Sequence, residues 1–228
     1  MAFKGFTKES ILFLKELGLN NNKNWFNKNR SLYERYLLEP LRQLTDELGD
    51  VIRQIDNNIE TTPQINRTIS KIYRDTRFSK DKSPFRTDLW ISFKRPFKIW
   101  GNVPEFYFYF TPEEYQYGMG YYSASSKNME MFRQFISTCP DRFKEIVDYY
   151  NSQNIFTLVG DPYKRFIPNQ HPEDFQKWFQ KRNLCLSCIK KIDKIFFSKT
   201  LKEELEQGFI FNANFYHFLL QSINKNNI

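Results

Sequence analysis

The stretch EFYFYFTPEEYQYGMGYY, residues 105–122, decides the fold because it contains the clearest strand pattern in the chain. Residues 105–111 are an almost unbroken run of aromatic side chains, which favour strands. A short connection around Pro112 follows, and residues 115–122 return as the partner strand. Since short connections between neighbouring strands favour antiparallel pairing, we predict a β-hairpin within an antiparallel sheet.

Further strands are predicted on both sides of this hairpin. Residues 65–73 are crowded with β-branched side chains, and residues 89–93 form a second apolar run. Residues 155–160 have the length and composition of a short strand. The hairpin therefore has candidate neighbours both before and after it in the chain.

The N-terminal part has the pattern of a helical hairpin. Thr7 can cap a first helix that ends at Gly18. Residues 26–55 then place apolar side chains at spacings of three, four and seven, which define one face of a helix. Because Pro40 interrupts this pattern, we expect the second helix to kink or split near its middle.

The C-terminal half is predicted to be mostly helical. Helices are expected to begin at three positions, namely Ser125 or Ser126, Pro140 and Pro172. Residues from 198 onward continue as a helix with an interruption near Gly208. No repeat and no low-complexity linker separates these elements from the strands.

The order of these elements predicts an α+β fold, in which a central antiparallel sheet is packed against an N-terminal helical hairpin and C-terminal helices. We expect one domain, residues 1–228. Within it, residues 1–57 form the helical hairpin, residues 63–122 form the sheet with a charged loop at 74–88, and residues 125–228 are mostly helical.

The composition of the chain indicates where in the cell the protein is located and whether disulfides stabilise it. No apolar run approaches the roughly 20 residues that span a bilayer, and the N-terminus lacks the apolar core of a signal peptide. We therefore expect a cytoplasmic location and no membrane partner. The three cysteines, an odd and small number, argue against a disulfide framework.

The positive charge is concentrated in one part of the chain. The net charge is +8, and residues 61–100 carry ten basic and three acidic side chains, a net charge of +7. A localised basic patch suggests an anionic partner, such as a phosphorylated small molecule, a nucleic acid or an acidic protein surface. The alternative is that these cations are simply solvated.

Most of the distinctive residues in that patch lie in the charged loop, residues 74–88. Phe78 and Phe85 interrupt its polar run, and both are predicted to anchor it to the core. Pro84 fixes one backbone angle and biases Ser83 to an extended conformation. A long loop that is held by anchors is a common place for a binding site.

Several stretches of the sequence resemble a single family. The run IYRDTRFSKDKSPFRTDL, residues 72–89, resembles the signature of the domain-of-unknown-function family numbered 2461. Residues 13–41, 104–122 and 160–178 are similar to its N-terminal helices, its hairpin and its C-terminal part. Phe85 stands where the family pattern has Tyr, which removes a hydroxyl group. The resemblance covers nearly the whole chain and implies no substrate, cofactor or catalytic residue.

The candidate ligand-binding residues are the charged side chains of the loop together with one serine: Arg74, Asp75, Arg77, Lys80, Asp81, Lys82, Arg86 and Ser125. Arg77 and Arg86 can each present a planar guanidinium group to a carboxylate or a phosphate. The aspartates leave three alternatives open. They can lock the loop through ion pairs, orient the arginines for an anionic ligand, or act as catalytic carboxylates.

Ser125 is included because a Gly- and Ser-rich segment, residues 118–126, precedes a predicted helix. Free backbone N–H groups at a helix N-terminus favour anions, so we predict that residues 123–126 converge with the loop near Arg77. The alternative is that the Gly-x-Gly segment only forms a tight turn.

The remaining signals predict no metal site and leave any cofactor unidentified. Cys185 and Cys188 have C-x-x-C spacing, but further ligands are remote in sequence, so two buried thiols are the simpler interpretation. His171, next to a helix-starting proline, is interpreted as a capping or surface residue. The function hypothesis is a pocket for a small anionic or phosphorylated ligand, and the alternatives are a nucleic-acid or acidic-protein interaction module and a purely structural loop.

Overall fold

The computed structural model describes residues 2–96, 103–121 and 124–223. Within these residues the chain has the predicted α+β fold with a five-stranded antiparallel sheet. The strands are β1 (Leu89–Phe93), β2 (Glu105–Phe110), β3 (Glu114–Tyr121), β4 (Thr157–Val159) and β5 (Leu184–Lys191). Their order in the sheet is β1-β2-β3-β5-β4, so the first three follow one another as neighbours.

The helices begin close to the positions that the sequence predicts. They are α1 (Lys8–Leu19), α2 (Lys23–Tyr33), α3 (Glu39–Ile55), α4 (Ser126–Thr138), α5 (Pro140–Asn151), α6 (Glu173–Phe179) and α7 (Thr200–Ile223). Ser125 is the N-cap of α4, because its Oγ accepts a hydrogen bond of 3.1 Å from the backbone N–H of Asn128.

Two helix boundaries differ from their predictions. Helix α1 continues past Gly18 to Leu19. Helix α7 runs through Gly208 without the predicted interruption. A single glycine costs a helix about 1 kcal/mol relative to alanine, and the burial of Leu205 and Phe209 on either side outweighs that cost.

Pro40 changes the helix as expected, but through a π-helical segment, Glu34–Leu38, that joins α2 to α3. The backbone N–H of Glu39 donates to the carbonyl oxygen of Glu34, five residues earlier. Pro40 therefore lies in the first turn of α3, where its missing N–H costs little. Leu37 remains fully buried, so the apolar face continues through the join.

The chain divides into two compact units. The first unit comprises Met1–Phe93, Tyr107–Tyr117 and Ile189–Gly208, and the second comprises Lys94–Phe106, Gly118–Cys188 and Phe209–Ile228.

The core of the first unit is built from aromatic rings. Phe108 and Phe110 of β2 are fully buried, whereas Tyr107 and Tyr109, which alternate with them along the strand, are partly exposed. The ring of Phe6 packs on Phe110 with the ring centres 4.8 Å apart. The N-terminal segment is thereby attached to the hairpin.

The core of the second unit gathers rings from α4 to α7. Phe143 of α5 contacts Phe175 and Trp178 of α6 edge to face, at 4.8 and 5.8 Å. Trp178 also contacts Phe215 of α7 at 5.0 Å. These four rings are almost completely buried, so helix packing in this unit rests on aromatic contacts.

The strand predicted at residues 65–73 is wrong. Asn66 has a positive φ of 71° and begins a turn in which its N–H donates to the carbonyl of Ile69 at 3.0 Å. Ile69 forms an isolated antiparallel bridge with Ile91 of β1. Because the turn interrupts the run, residues 68–70 lie beside β1 while the segment as a whole forms no strand.

Strand β5 lies in a region predicted to be mostly helical. It pairs antiparallel with β4, and Ser187 lies opposite Thr157. Leu184 and Leu186 are buried, so the segment has the alternation of a strand at its start. Strand pairing with a distant segment decides this structure, and local sequence pattern alone does not show it.

Gly118 and Gly120 lie within β3 and allow it to approach β5 closely. A Cβ atom on Gly118 would lie 1.9 Å from the carbonyl oxygen of Leu186, and one on Gly120 would lie 2.3 Å from that of Leu184. Both distances are shorter than any contact between real atoms of these types. Strand packing therefore explains the Gly-x-Gly pattern, and the alternative that this segment only forms a tight turn is wrong.

We expect Gly118→Ala to lower the free energy of unfolding by about 2 kcal/mol or more, because the added methyl group must push β3 and β5 apart. Gly18→Ala is the matched control, since its Cβ would meet only the side chain of Thr87 at 3.4 Å. The control should leave stability unchanged or raise it by up to about 1 kcal/mol. Urea denaturation measures both, and equal stability of the two variants would contradict the strand-packing explanation.

Candidate functional site

The charged loop is a paired stem with an exposed tip. Tyr73 and Phe85 form an antiparallel bridge, and one backbone hydrogen bond on each side, 2.9 and 2.8 Å long, extends the pairing. We call residues 72–74 and 84–86 the stem, and residues 75–83 the tip. The paired stem fixes both ends of the tip next to each other.

Phe85 anchors the stem, as predicted. Its side chain is 1% exposed and stacks on Phe26 of α2 with the ring centres 4.3 Å apart. The side-chain amide of Asn21 donates to the carbonyl oxygen of Phe85 and accepts from its N–H, both at 3.0 Å. Asn21 therefore pairs with Phe85 as a neighbouring strand would.

Phe78 does not anchor the loop, and that prediction is wrong. Its side chain is 95% exposed, and it lies in the tip, beyond the paired stem. The guanidinium carbon of Arg77 lies 5.7 Å from the centre of its ring, within the range of a cation–π contact. An exposed phenyl ring thus lies among charged side chains.

Aspartates pair with the arginines of the loop. Asp75 accepts hydrogen bonds from Nη2 and Nε of Arg77 at 2.7 and 3.0 Å, a bidentate arrangement. Asp81 pairs with Arg74. These hydrogen bonds from Arg77 lower the pKa of Asp75 to about 2. Hydrogen bonds from Ser83, and then from Arg74, hold the pKa of Asp81 well below its usual range.

Arg86 has a different environment at the end of the stem. Its Nη1 lies 4.0 Å from the carboxylate of Asp88, at the limit of an ion pair. Its guanidinium carbon lies 4.9 Å from the ring centre of Trp90. The planar group is therefore oriented mainly by an aromatic face.

The lysines leave positive charge at the tip. Lys82 donates a 2.8 Å hydrogen bond to the carbonyl oxygen of Thr76, which fixes its position without neutralising it. Lys80 is exposed to solvent. Residues 74–88 carry five basic and three acidic side chains, so the aspartates offset only part of the charge.

Ser125 serves as the N-cap described above and belongs to the second unit. Residue 123, which belongs to the same predicted anion site, lies outside the described residues. The convergence of residues 123–126 with Arg77 stays a prediction.

The other sequence signals have structural explanations. Cys185 and Cys188 are three positions apart in β5 and so project to opposite faces of the strand. Burial raises the pKa of Cys185 to about 12, which disfavours the reactive thiolate. His171 Nε2 lies 2.9 Å from Oγ of Ser137. Among the described residues, no three His, Cys, Asp or Glu side chains are grouped to hold a metal ion.

The described residues form an α+β fold in which a paired stem carries a tip with three basic and two acidic side chains and an exposed phenyl ring. The sequence profile of the family described as conserved hypothetical protein (DUF2461) matches residues 9–218, and the chain belongs to this family. A comparison with curated proteins finds no match. In the described part of the chain, no helix has the length and apolar character needed to cross a membrane.

We expect Phe85→Ala to lower the free energy of unfolding by about 3 kcal/mol or more, because it removes a fully buried ring from its stack on Phe26. Phe78→Ala should change it by no more than about 0.5 kcal/mol, since that ring is exposed. Thermal and urea unfolding of the two variants test whether Phe85 is the anchor and Phe78 belongs to the exposed tip. Similar losses of unfolding free energy in both variants would contradict that assignment.

We expect Arg77→Gln to raise the pKa of Asp75 from about 2 towards the ordinary value of about 3.9. The folded-state pKa is depressed, so the pair's stabilising effect is present above the unfolded value and disappears as pH falls towards 2. Carboxyl carbon NMR shifts measured against pH report this value. The pKa of Asp81 is the internal control and should not change. If the pKa of Asp75 is also unchanged in the variant, the bidentate pair does not form in solution.

Proposed function

We propose that the tip, residues 75–83, binds the phosphate groups of an anionic ligand. The observation that supports this proposal is that several cationic side chains lie on one exposed segment, whose two ends are fixed by the stem. Arg77 is oriented by Asp75, and the uncompensated charge resides on Lys80 and Lys82. Side chains that are already positioned lose less conformational entropy when they bind.

The exposure of Phe78 supports nucleic acid over a small phosphorylated molecule as the ligand class of the tip. A phenyl ring that is 95% exposed beside a guanidinium group offers a stacking surface for a nucleic-acid base. Such stacking contributes about 1–3 kcal/mol per base and needs an unpaired, accessible base. The geometry therefore favours single-stranded nucleic acid over duplex.

A small phosphorylated molecule is the second candidate, and it needs an enclosed site to bury most of its surface. The side chain of Arg77 is 77% exposed, so the tip offers this ligand little enclosure. A bidentate phosphate contact from an arginine is the interaction that would support it. Both candidates use the same charged residues, and they differ in the role of Phe78.

Fluorescence anisotropy with a short labelled oligothymidylate tests the proposal. Phe78→Ala should weaken binding by about tenfold, because it removes one stacked base. Lys80→Gln should reduce the slope of log affinity against log salt by about 1, because one phosphate contact is lost. Lys15→Gln, which removes an exposed lysine of α1, is the matched charge control and should change neither quantity.

A thermal-shift screen with adenosine monophosphate and glucose 6-phosphate distinguishes the second candidate. A rise in Tm that Arg77→Ala abolishes, together with no affinity for the oligonucleotide, would establish the small-ligand alternative. If neither assay detects binding, the proposed function is wrong and the loop's ion pairs have a structural role alone.

A further inference from the structure

The second unit contains a cavity of about 370 Å³, which lies within the size range of small-molecule sites. Its lining comes from α5, from Leu186 of β5 and from the C-terminal part of α7. None of the residues 74–88 contributes to it. Any ligand of this cavity is therefore independent of the function proposed for the tip.

One wall of the cavity is aromatic. The ring of Tyr149 stacks on Phe211 with centres 4.5 Å apart and an angle of 21° between the planes. Phe211 is held from another side by Phe156, at 5.4 Å and 9°. Tyr149 is nevertheless 46% exposed, so part of this supported wall is open to a ligand. A flat apolar wall of this kind favours a planar ring.

The inner lining is apolar as well. Ile146 of α5, Leu186 of β5 and Phe215 of α7 are buried and contribute to the cavity. Their positions on three different elements give the cavity a fixed apolar floor. The hydrophobic contribution of a bound ring would come from its contact with this surface.

The rim carries charges of both signs. Arg142 and Glu145 are three residues apart on α5, so their side chains are neighbours on one face of the helix. Arg142 donates to the side-chain oxygen of Gln221, which is a neutral partner. Within the described chain, neither Arg142 nor Glu145 forms an ion pair, with each other or with any other residue. Both charges remain available to a ligand.

We propose that this cavity binds a small aromatic zwitterion, a molecule with a carboxylate and an ammonium group beside one planar ring. The ring would stack on Tyr149 and contact the apolar floor. The carboxylate would accept hydrogen bonds from Arg142, and the ammonium group would donate to Glu145. A free aromatic amino acid has this combination of groups.

The two rim charges select against ligands of a single charge. An aromatic acid would place its carboxylate near Glu145, and an aromatic amine would place its ammonium group near Arg142. Either ligand satisfies one rim group and leaves the other charge facing it without a partner. The zwitterion is the class that satisfies both.

Isothermal titration calorimetry with three indole probes tests this selectivity. L-Tryptophan carries both charged groups, indole-3-propionate carries only the carboxylate, and tryptamine carries only the amine. We expect tryptophan to bind with one site per chain and about tenfold more tightly than either of the other probes. Equal affinity for the three probes, or no binding of tryptophan, would overturn the proposal.

Two rim variants assign the contacts. Arg142→Gln should weaken the binding of tryptophan and indole-3-propionate by about tenfold, and it should leave the binding of tryptamine unchanged or tighter because a like charge is removed. Glu145→Gln should weaken the binding of tryptophan and tryptamine by about tenfold, and it should leave the binding of indole-3-propionate unchanged or tighter. Lys144→Gln is the matched control, because it removes a charge from the same helix outside the cavity. All three positions are exposed, so the variants should fold. If the Lys144 variant no longer binds any of the three probes, the claim that Arg142 and Glu145 make the specific contacts is wrong.

Discussion

The placement of the charged loop depends on the contacts that Asn21 and Phe26 make with Phe85, which we call the clamp. Asn21 makes two hydrogen bonds to the backbone of Phe85, and Phe26 stacks on its ring. Burial of a phenylalanine contributes about 1.5–3 kcal/mol, and each hydrogen bond adds about 0.5–1.5 kcal/mol. These contacts at one residue, worth a few kcal/mol, hold the stem in place. Six of the nine residues of the tip, 75–83, remain exposed, and the other three are half-buried.

The ion pairs of the tip act on orientation more than on stability. Water screens exposed pairs such as Asp75 with Arg77, so they add little to stability. What the aspartates do is restrict the arginine side chains, and the lysines keep their charge. This division of roles reconciles two of the alternatives that the sequence leaves open, because an ion-pair network can also orient the cations that meet a ligand.

Local signals in the sequence predict local structure well. The hairpin of β2 and β3, the cap at Ser125 and the break at Pro40 each depend on residues within a few positions, and all three are present. Strand β5 is missed because its pairing partner is remote in the chain.

The candidate sites also depend on contacts between residues that are remote in the sequence, which local patterns do not predict. Phe78 and Phe85 look equivalent in a charged run, and what separates them is the contact with Asn21, 64 residues away in the sequence. The aromatic cavity joins α5 to residues of α7 that are about 70 positions later. No spacing rule along a single segment identifies such a site.

Amide hydrogen exchange of the Asn21→Ala variant tests the central claim most directly. The bridge hydrogen bonds that involve the N–H groups of Arg74 and Arg86 depend on the clamp, so both amides should exchange at least about tenfold faster in the variant. Amides of α3 should keep their wild-type rates, and those of the tip should exchange rapidly in both proteins. Unchanged protection of Arg74 and Arg86 would contradict the claim that the hydrogen bonds of Asn21 hold the loop in place.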